Sequence, residues 1–198
     1  MPGKMLRRMG LGLFAIAVCS SVEIRAFAAI GASATITGET QLPSGQYKYD
    51  VTLNNTGDVP IRTFWFGWIV YAGSFVYDLM PSQASSVSSP AGWVGASVYD
   101  GIGPYAVEWY SSTPLQPSQS LSGFSFNTPD APSVINGTSF FAGYPVRESW
   151  VYQNVYSGPG ASGANVEFTP TIAPVPEPTL CLTLLPLLAG RCRRGQLR

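Results

Sequence analysis

The most constraining feature of this 198-residue chain is the period of two in its middle part, which Gly, Pro, Ser and Asp interrupt at short intervals. From Tyr47 to Asn54, apolar side chains alternate with polar ones, as is typical of a strand with one buried face. The run from Ile61 to Tyr71 is strongly β-prone, and no segment of the body has a convincing period of 3.6. The pattern predicts an all-β body, built as a single antiparallel β-sandwich.

Further strands are predicted where short apolar or aromatic runs lie between turn residues. The body also contains two places where a Pro-containing turn adjoins an alternating strand, near Pro60 and near Pro117. These turns resemble the strand connections of immunoglobulin-like extracellular modules, a resemblance that implies architecture alone. The additional predicted strands are Ala34 to Thr37, Gly95 to Tyr99, Tyr105 to Tyr110, Ser120 to Phe126, Thr138 to Phe141, Trp150 to Tyr156 and Ala164 to Thr169.

Residues 1–28 are organised like a secretory signal peptide. A positive region with Lys4, Arg7 and Arg8 precedes an apolar region from Leu11 to Val18, which is shorter than the roughly 20 residues of a transmembrane helix. We expect this signal helix to engage the general secretion machinery, with a buried N-terminal helix as the alternative. The small-x-small cleavage site is Ala26-Phe27-Ala28, with Ala26 and Ala28 as its small residues.

The C-terminal residues, 173–198, combine a Pro-Glu-Pro tripeptide with a short apolar segment and a basic end. The apolar segment, Thr179 to Gly190, contains Pro186 and is short for a membrane span. Arginines after it would resist translocation, because cytoplasmic flanks of membrane segments favour positive charge. The tripeptide is Pro176, Glu177 and Pro178, and the basic cluster is Arg191, Arg193 and Arg194.

This order of features resembles the PEP-CTERM sorting signal of bacterial exported proteins. The resemblance implies recognition of the tripeptide by an exosortase, retention at the membrane by the basic cluster, and a host that commonly produces exopolysaccharide. It implies transient membrane association through both termini and a final location in the cell envelope, at the outer surface or in the extracellular matrix. A disordered tail of accidental composition is the alternative interpretation.

The body between these ends, predicted as a domain over residues 29–172, differs in chemistry from the whole chain. The chain has a formal charge of zero, but residues 29–174 contain nine acidic and three basic residues and so carry −6. This charge disfavours nucleic acid, anionic membrane surfaces and acidic polysaccharides as partners. The three cysteines, Cys19, Cys181 and Cys192, all lie in the end segments, so the body is predicted to be stable without a disulfide.

The residue types in the body narrow its possible chemistry. It has neither His nor Cys, which excludes Ser–His–acid and Cys–His nucleophiles and the usual zinc sites. We predict no catalytic residues, no metal and no cofactor. Glu108, Glu148 and Glu167 are the candidates for a carboxylate pair of a glycoside hydrolase, with outward polar strand positions as the favoured alternative. Loop aspartates are interpreted as turn formers rather than Ca²⁺ ligands.

Aromatic residues occur on both faces of the Ile61–Tyr71 run, which is unusual for a sheet face in contact with water. The alternation would place Phe64, Phe66 and Trp68 on one face, and Trp65 and Tyr71 on the other. Either the strand is covered on both sides, which we favour, or one row is an exposed platform for sugar rings. The candidate stacking residues are Trp65, Trp68, Trp93 and Trp109, to which Tyr110, Trp150 and Tyr152 could contribute.

Taken together, these features predict an exported, non-enzymatic protein of the cell surface or extracellular matrix, with extracellular polysaccharide as a candidate partner. A carbohydrate-binding module with an exposed aromatic face is the first alternative. A glycoside hydrolase that works with carboxylates alone is the second.

Overall fold

The computed structural model describes residues 28–71, 75–99, 101, 104–140, 143–155 and 163–173. The predicted signal helix, including Ala26, lies outside the described residues, as does the predicted sorting tail with Pro176, Glu177, Pro178 and its arginines.

The described part of the chain consists of β-strands and one four-residue helix. The strands are β1 (Ala32–Gln41), β2 (Tyr47–Asn55), β3 (Ile61–Phe66), β4 (Trp68–Tyr71), β5 (Phe75–Asp78), β6 (Ser86–Ser88), β7 (Trp93–Tyr99), β8 (Tyr105–Leu115), β9 (Ser120–Thr128), β10 (Ser149–Tyr152), β11 (Asn165–Phe168) and β12 (Thr171–Ile172), and the helix is α1 (Pro132–Ile135).

Two five-stranded sheets form a sandwich, which confirms the predicted all-β class. The first sheet has the strand order β12-β1-β2-β9-β6, and the second has the order β11-β10-β3-β8-β7. Strands β4 and β5 form a separate hairpin. Pairing is antiparallel throughout these sheets except between β1 and β12, which run parallel. The chain crosses between the two sheets after β2, before and after β6, and after β8, β9 and β11, so many neighbours in sequence contribute to opposite layers.

The inner faces of the two sheets enclose an aromatic core. In β2 the side chains of Tyr49, Val51 and Leu53 are fully buried, as the alternating pattern predicted. Phe64 stacks on Trp109 at a centroid distance of 5.2 Å and meets Phe124 edge-on at 5.7 Å. Such contacts add about 0.5–1.5 kcal/mol each to the gain from burial. The core therefore supplies the cohesion that a cysteine-free body needs.

One buried amide joins the two sheets at an end of the sandwich. Asn55, which is 2% exposed, donates from Nδ2 to the carbonyl oxygens of Val59 (2.8 Å) and Leu115 (3.0 Å). Its Oδ1 accepts the Gly57 N–H at 3.1 Å. All the strong hydrogen-bonding groups of this side chain are thus used, so its burial does not leave a polar group unsatisfied.

The predicted strand from Ile61 to Tyr71 is interrupted at Gly67, whose φ is 68°. The bend resets the alternation, so the prediction that Trp68 shares a face with Phe64 and Phe66 is wrong. Trp68 instead packs with Trp65 on the opposite face of the second sheet. The bend is held by hydrogen bonds from Leu79 N to Gly67 O (2.7 Å) and from Trp68 N to Glu148 O (3.0 Å).

Short elements account for the other differences from the predicted strands. The predicted strand from Thr138 to Phe141 is reduced, within the described residues, to a single bridge between Thr138 and Pro145. Pro145 lacks an N–H to extend that pairing. Strands β5, β6 and β12 were not predicted, because two to four residues are too few to establish a period.

Substitution of Gly67 by alanine tests the importance of the bend. A Cβ at this position would lie 2.7 Å from Met80 Cγ, in addition to the strain of the positive φ. We expect Gly67→Ala to lower the free energy of unfolding by about 2–4 kcal/mol in urea titrations. The matched control is Gly45→Ala, where φ is 84° with no atom within 4 Å, and where the backbone cost alone, about 1 kcal/mol, is expected. Equal losses in the two variants would contradict a packing role for Gly67.

Candidate functional site

The second sheet turns one face away from the aromatic core, and two register rows of side chains cross it from β7 to β11. Paired residues of an antiparallel ladder lie on the same face, so the rows follow directly from the register. We call these ten residues the outer face. The first row is Val94, Tyr110, Thr63, Tyr152 and Asn165, and the second is Ala96, Glu108, Trp65, Trp150 and Glu167.

The hairpin of β4 and β5 covers the middle of the outer face. Trp68 stacks on Trp65 with a centroid distance of 4.8 Å and an interplanar angle of 23°. It also meets Trp150 and Tyr152 edge-on, at 6.2 Å and 6.1 Å. Val70 and Val76 of the hairpin pack against the same cluster. The second sheet is therefore covered on both sides at this point, as the favoured interpretation of its aromatic residues required.

The four tryptophans proposed for sugar stacking are all buried. Trp65 and Trp68 lie where the hairpin packs on the outer face, with 6% and 2% exposure, whereas Trp93 and Trp109 lie between the sheets with 7% and 0%. A sugar ring needs an open aromatic face, and none of these four provides one. An exposed platform on these residues is thus not present in the structure. The sequence could not show this, because Trp65 is covered by a hairpin that forms after the bend at Gly67, and Trp93 and Trp109 are covered by the opposite sheet.

Two aromatics of the outer face keep partial exposure, Tyr110 and Trp150, and of these Trp150 lies at the edge formed by β10 and β11. Its side chain is half-buried, and its ring stacks on Tyr152 at 6.1 Å with an interplanar angle of 22°. The neighbouring strand, β11, places the exposed side chains of Asn165 and Glu167 beside these two rings. The β10–β11 edge therefore combines a supported indole with a carboxylate and an amide. Sequence reasoning included Trp150 among the aromatics but had no signal to rank it above the buried tryptophans.

Glu108 lies in the second row of the outer face, between Ala96 and Trp65 in the register. Burial of its carboxyl raises the pKa of Glu108 to about 7, because desolvation penalises the charged form. Within the described residues, Glu108 Oε1 is buried without a hydrogen-bond partner. Such an oxygen favours the protonated state or a donor from outside the chain.

Glu167 is influenced by several neighbours. Burial and the nearby charge of Glu148 raise the pKa of Glu167, while the nearby Trp150 indole N–H acts in the opposite direction. Glu148 itself is 7% exposed and accepts a hydrogen bond from the Thr169 hydroxyl at 2.7 Å. Glu148 is thus held in place by the adjoining chain and is not an open group.

The structure does not assemble the three glutamates into one site. Glu108 and Glu167 are separated by three inter-strand spacings, roughly 14 Å at the backbone. The carboxyl pair of a glycoside hydrolase lies within about 10 Å. Glu148 and Glu167 are close enough to interact, but Glu148 is buried and bonded to Thr169.

The carboxylate of Asp130, which follows β9, connects two segments that are distant in sequence. Asp130 accepts hydrogen bonds from the hydroxyl and the N–H of Ser82, at 2.7 Å and 3.1 Å. Across the described ranges, no group of three or more His, Cys, Asp or Glu side chains is arranged to hold a metal ion. No helix among those same residues is long and apolar enough to cross a membrane.

Comparison with known proteins gives no family. No protein-family model matches the chain, and no curated protein matches it. A GH20 exo-β-N-acetylglucosaminidase from Vibrio harveyi matches with a TM-score of 0.37 and 11% identity over 74% of this chain, which spans only 18% of that enzyme. A CBM3 of Hungateiclostridium clariflavum gives 0.36 and 8%, covering 65% of this chain and 97% of that one. A cohesin module from a Clostridium perfringens family 33 glycoside hydrolase gives 0.31 and 9%, covering 74% and 99%. Similarity this low carries no argument about ligand or activity.

The buried carboxyl of Glu108 predicts a measurable pH dependence. Because the pKa of Glu108 is raised from 4.5 to about 7 in the folded protein, its buried carboxyl costs no stability below about pH 4.5, the cost grows between about pH 4.5 and 7, and it is constant above that. Glu108→Gln should therefore raise the free energy of unfolding at pH 8 by about 1–2 kcal/mol, after allowance for solvent screening, and change it little at pH 4.5.

Thermal unfolding at the two pH values measures this effect, and we expect the melting temperature to rise by about 3–6 °C at pH 8. The matched control is Asp58→Asn, which removes an exposed carboxyl in the turn after β2. A rise in the melting temperature of Glu108→Gln that is larger at pH 4.5 than at pH 8 would contradict a raised pKa for Glu108.

Proposed function

We propose that this protein is exported and acts without catalysis at the bacterial cell surface or in the extracellular matrix. The order of the two end segments carries the export part of the proposal: a signal-peptide pattern at residues 1–28 and a PEP-CTERM-like pattern at residues 173–198. The separation and burial of the body's glutamates support a non-catalytic role.

The proposed tail acts before the protein reaches its final location. Its apolar segment, Thr179 to Gly190, holds the chain at the membrane, while Arg191, Arg193 and Arg194 keep the end on the cytoplasmic side. An exosortase recognises the tripeptide Pro176-Glu177-Pro178 and processes the chain there. The released body, without disulfides, then depends on its aromatic core for stability in the extracellular medium.

The intact mass of the protein recovered outside the cells tests this proposal. We expect a product that lacks residues 1–28 and the segment after the tripeptide. A variant with Pro176→Ala, Glu177→Ala and Pro178→Ala should stay in the membrane fraction with its tail intact. Recovery of extracellular wild-type protein that still contains residues 179–198 would overturn processing at the tripeptide.

A second candidate function is the binding of a neutral polysaccharide at the β10–β11 edge of the outer face. It is favoured by one observation, the half-buried Trp150 supported by Tyr152 and flanked by the exposed Asn165 and Glu167. An indole offers an apolar face to a sugar ring, while the carboxylate and the amide match its hydroxyls. The −6 charge of residues 29–174 disfavours acidic polysaccharides.

Co-sedimentation with insoluble neutral polysaccharides tests this candidate. We expect Trp150→Ala to weaken retention about tenfold, the loss that corresponds to about 1.4 kcal/mol of binding energy. The control is Tyr99→Ala, which removes a 53% exposed aromatic at the end of β7. Equal retention of wild type and Trp150→Ala would eliminate the β10–β11 edge as a binding surface.

A further inference from the structure

A cleft of about 190 Å³ opens where the chain crosses from the second sheet to the first. It lies between the start of β7, the end of β8 and the start of β9, away from the hairpin and the β10–β11 edge. Eight residues line it, and none of them is charged. The body has a formal charge of −6, but this cleft has no charged side chain that could pair with an ionic ligand. The cleft therefore favours uncharged ligands over anions and cations.

The lining combines apolar surface with hydroxyl and amide groups. Trp93, Leu115 and Leu121 supply the apolar side, and Thr113 and Gln119 supply polar groups. Trp93 is held in position by an edge-on contact with Phe124 at 5.2 Å. Its side chain is 7% exposed, so it contributes little accessible surface to the cleft. This mixture of a rigid apolar wall and a few polar groups is the usual composition of a small-molecule site.

The polar wall of the cleft is built into the fold. The loop between β8 and β9 is fixed by hydrogen bonds from Asn55 N to Gln119 O (2.9 Å) and from Ser118 N to Asn55 O (3.0 Å). Gln119 Oε1 accepts a hydrogen bond from the Gln116 N–H at 3.2 Å, which orients the side-chain amide. The NH₂ group of this amide is a hydrogen-bond donor. Ser118 has a φ of 61°, a conformation that non-glycine residues adopt only where surrounding contacts enforce it. The cleft is therefore largely preorganised.

Size and chemistry together indicate the ligand class. The cleft is smaller than the roughly 300–1,000 Å³ of sites for drug-sized ligands, so it suits a single ring rather than an extended chain. A neutral pyranose has apolar C–H surfaces and a rim of hydroxyls, which match the partly exposed Pro114 and Leu121 on one side and Thr113 and Gln119 on the other. We propose that this cleft binds one neutral sugar ring, as a terminal or branch unit of a glycan. This inference rests on the glycan-binding candidate and is independent of export and tail processing.

The experiment measures binding of glucose, galactose, mannose and N-acetylglucosamine to the purified full chain by saturation-transfer NMR and calorimetry. Glucuronic acid and glucosamine serve as charged analogues. We expect at least one neutral sugar to bind and the charged analogues to bind at least tenfold more weakly. Failure of all four neutral sugars, or equally strong binding of the charged analogues, would overturn the proposal.

Two alanines provide a matched pair of variants for location. Ala91 lies just before β7 and is exposed at the cleft. Ala96 lies within β7 and is exposed on the outer face. Ala91→Phe should block the cleft and weaken binding at least tenfold, whereas Ala96→Phe should change it less than twofold. Thr113→Val, which removes a hydroxyl of the cleft at nearly constant volume, provides a milder test if Ala91→Phe does not fold. If Ala96→Phe or Trp150→Ala abolishes binding while Ala91→Phe and Thr113→Val do not, the sugar binds the outer face and the cleft proposal is wrong.

Discussion

The stacking of aromatic rings between the two sheets is the interaction on which the rest of this structure depends. Phe64, Trp109 and Phe124 form mutual contacts at 5.2–5.7 Å across the sandwich. Since the body has no cysteine, no disulfide can link its two layers. The two sheets stay packed against each other because these rings interdigitate and because Asn55, at the end of β2, donates a hydrogen bond to the end of β8. Both candidate binding surfaces are positioned by this packed interior.

A single glycine changes what the outside of the second sheet can do. Without the bend at Gly67, the aromatic run would continue as one strand and leave Trp65 open to solvent. With it, the chain turns back as a hairpin and Trp68 covers Trp65. The sheet gains a second apolar cluster, and of the two tryptophans of the outer face only Trp150 keeps partial exposure. The same folding step thus increases buried area and restricts where a ligand can reach an indole.

Charge separates the two candidate surfaces. The outer face contains Glu108 and Glu167 in one row and has no basic residue among its ten positions, whereas the cleft has no charged residue at all. A neutral glycan is compatible with both surfaces, and an acidic one with neither. A terminal ring in the cleft and an extended segment along the β10–β11 edge would be different modes of contact with the same class of molecule. Such a combination would suit a non-catalytic component of a polysaccharide-rich matrix.

The all-β class, the strands β2, β7 and β9 and the acidic, cysteine-free character of the body follow from the sequence, because period-two patterning and composition are local properties. The burial or exposure of each aromatic residue does not follow from the sequence. The alternation predicted that Phe64 and Trp65 face opposite sides of the sheet, but it did not show which side packs on the other sheet and which lies beneath a hairpin. Trp93 and Trp150 look alike in sequence, yet one forms a wall of the cleft and the other is the accessible indole. Those differences were decided by the tertiary structure, because cover and exposure depend on which distant segments pack over a residue, and a bend of one glycine can redirect them.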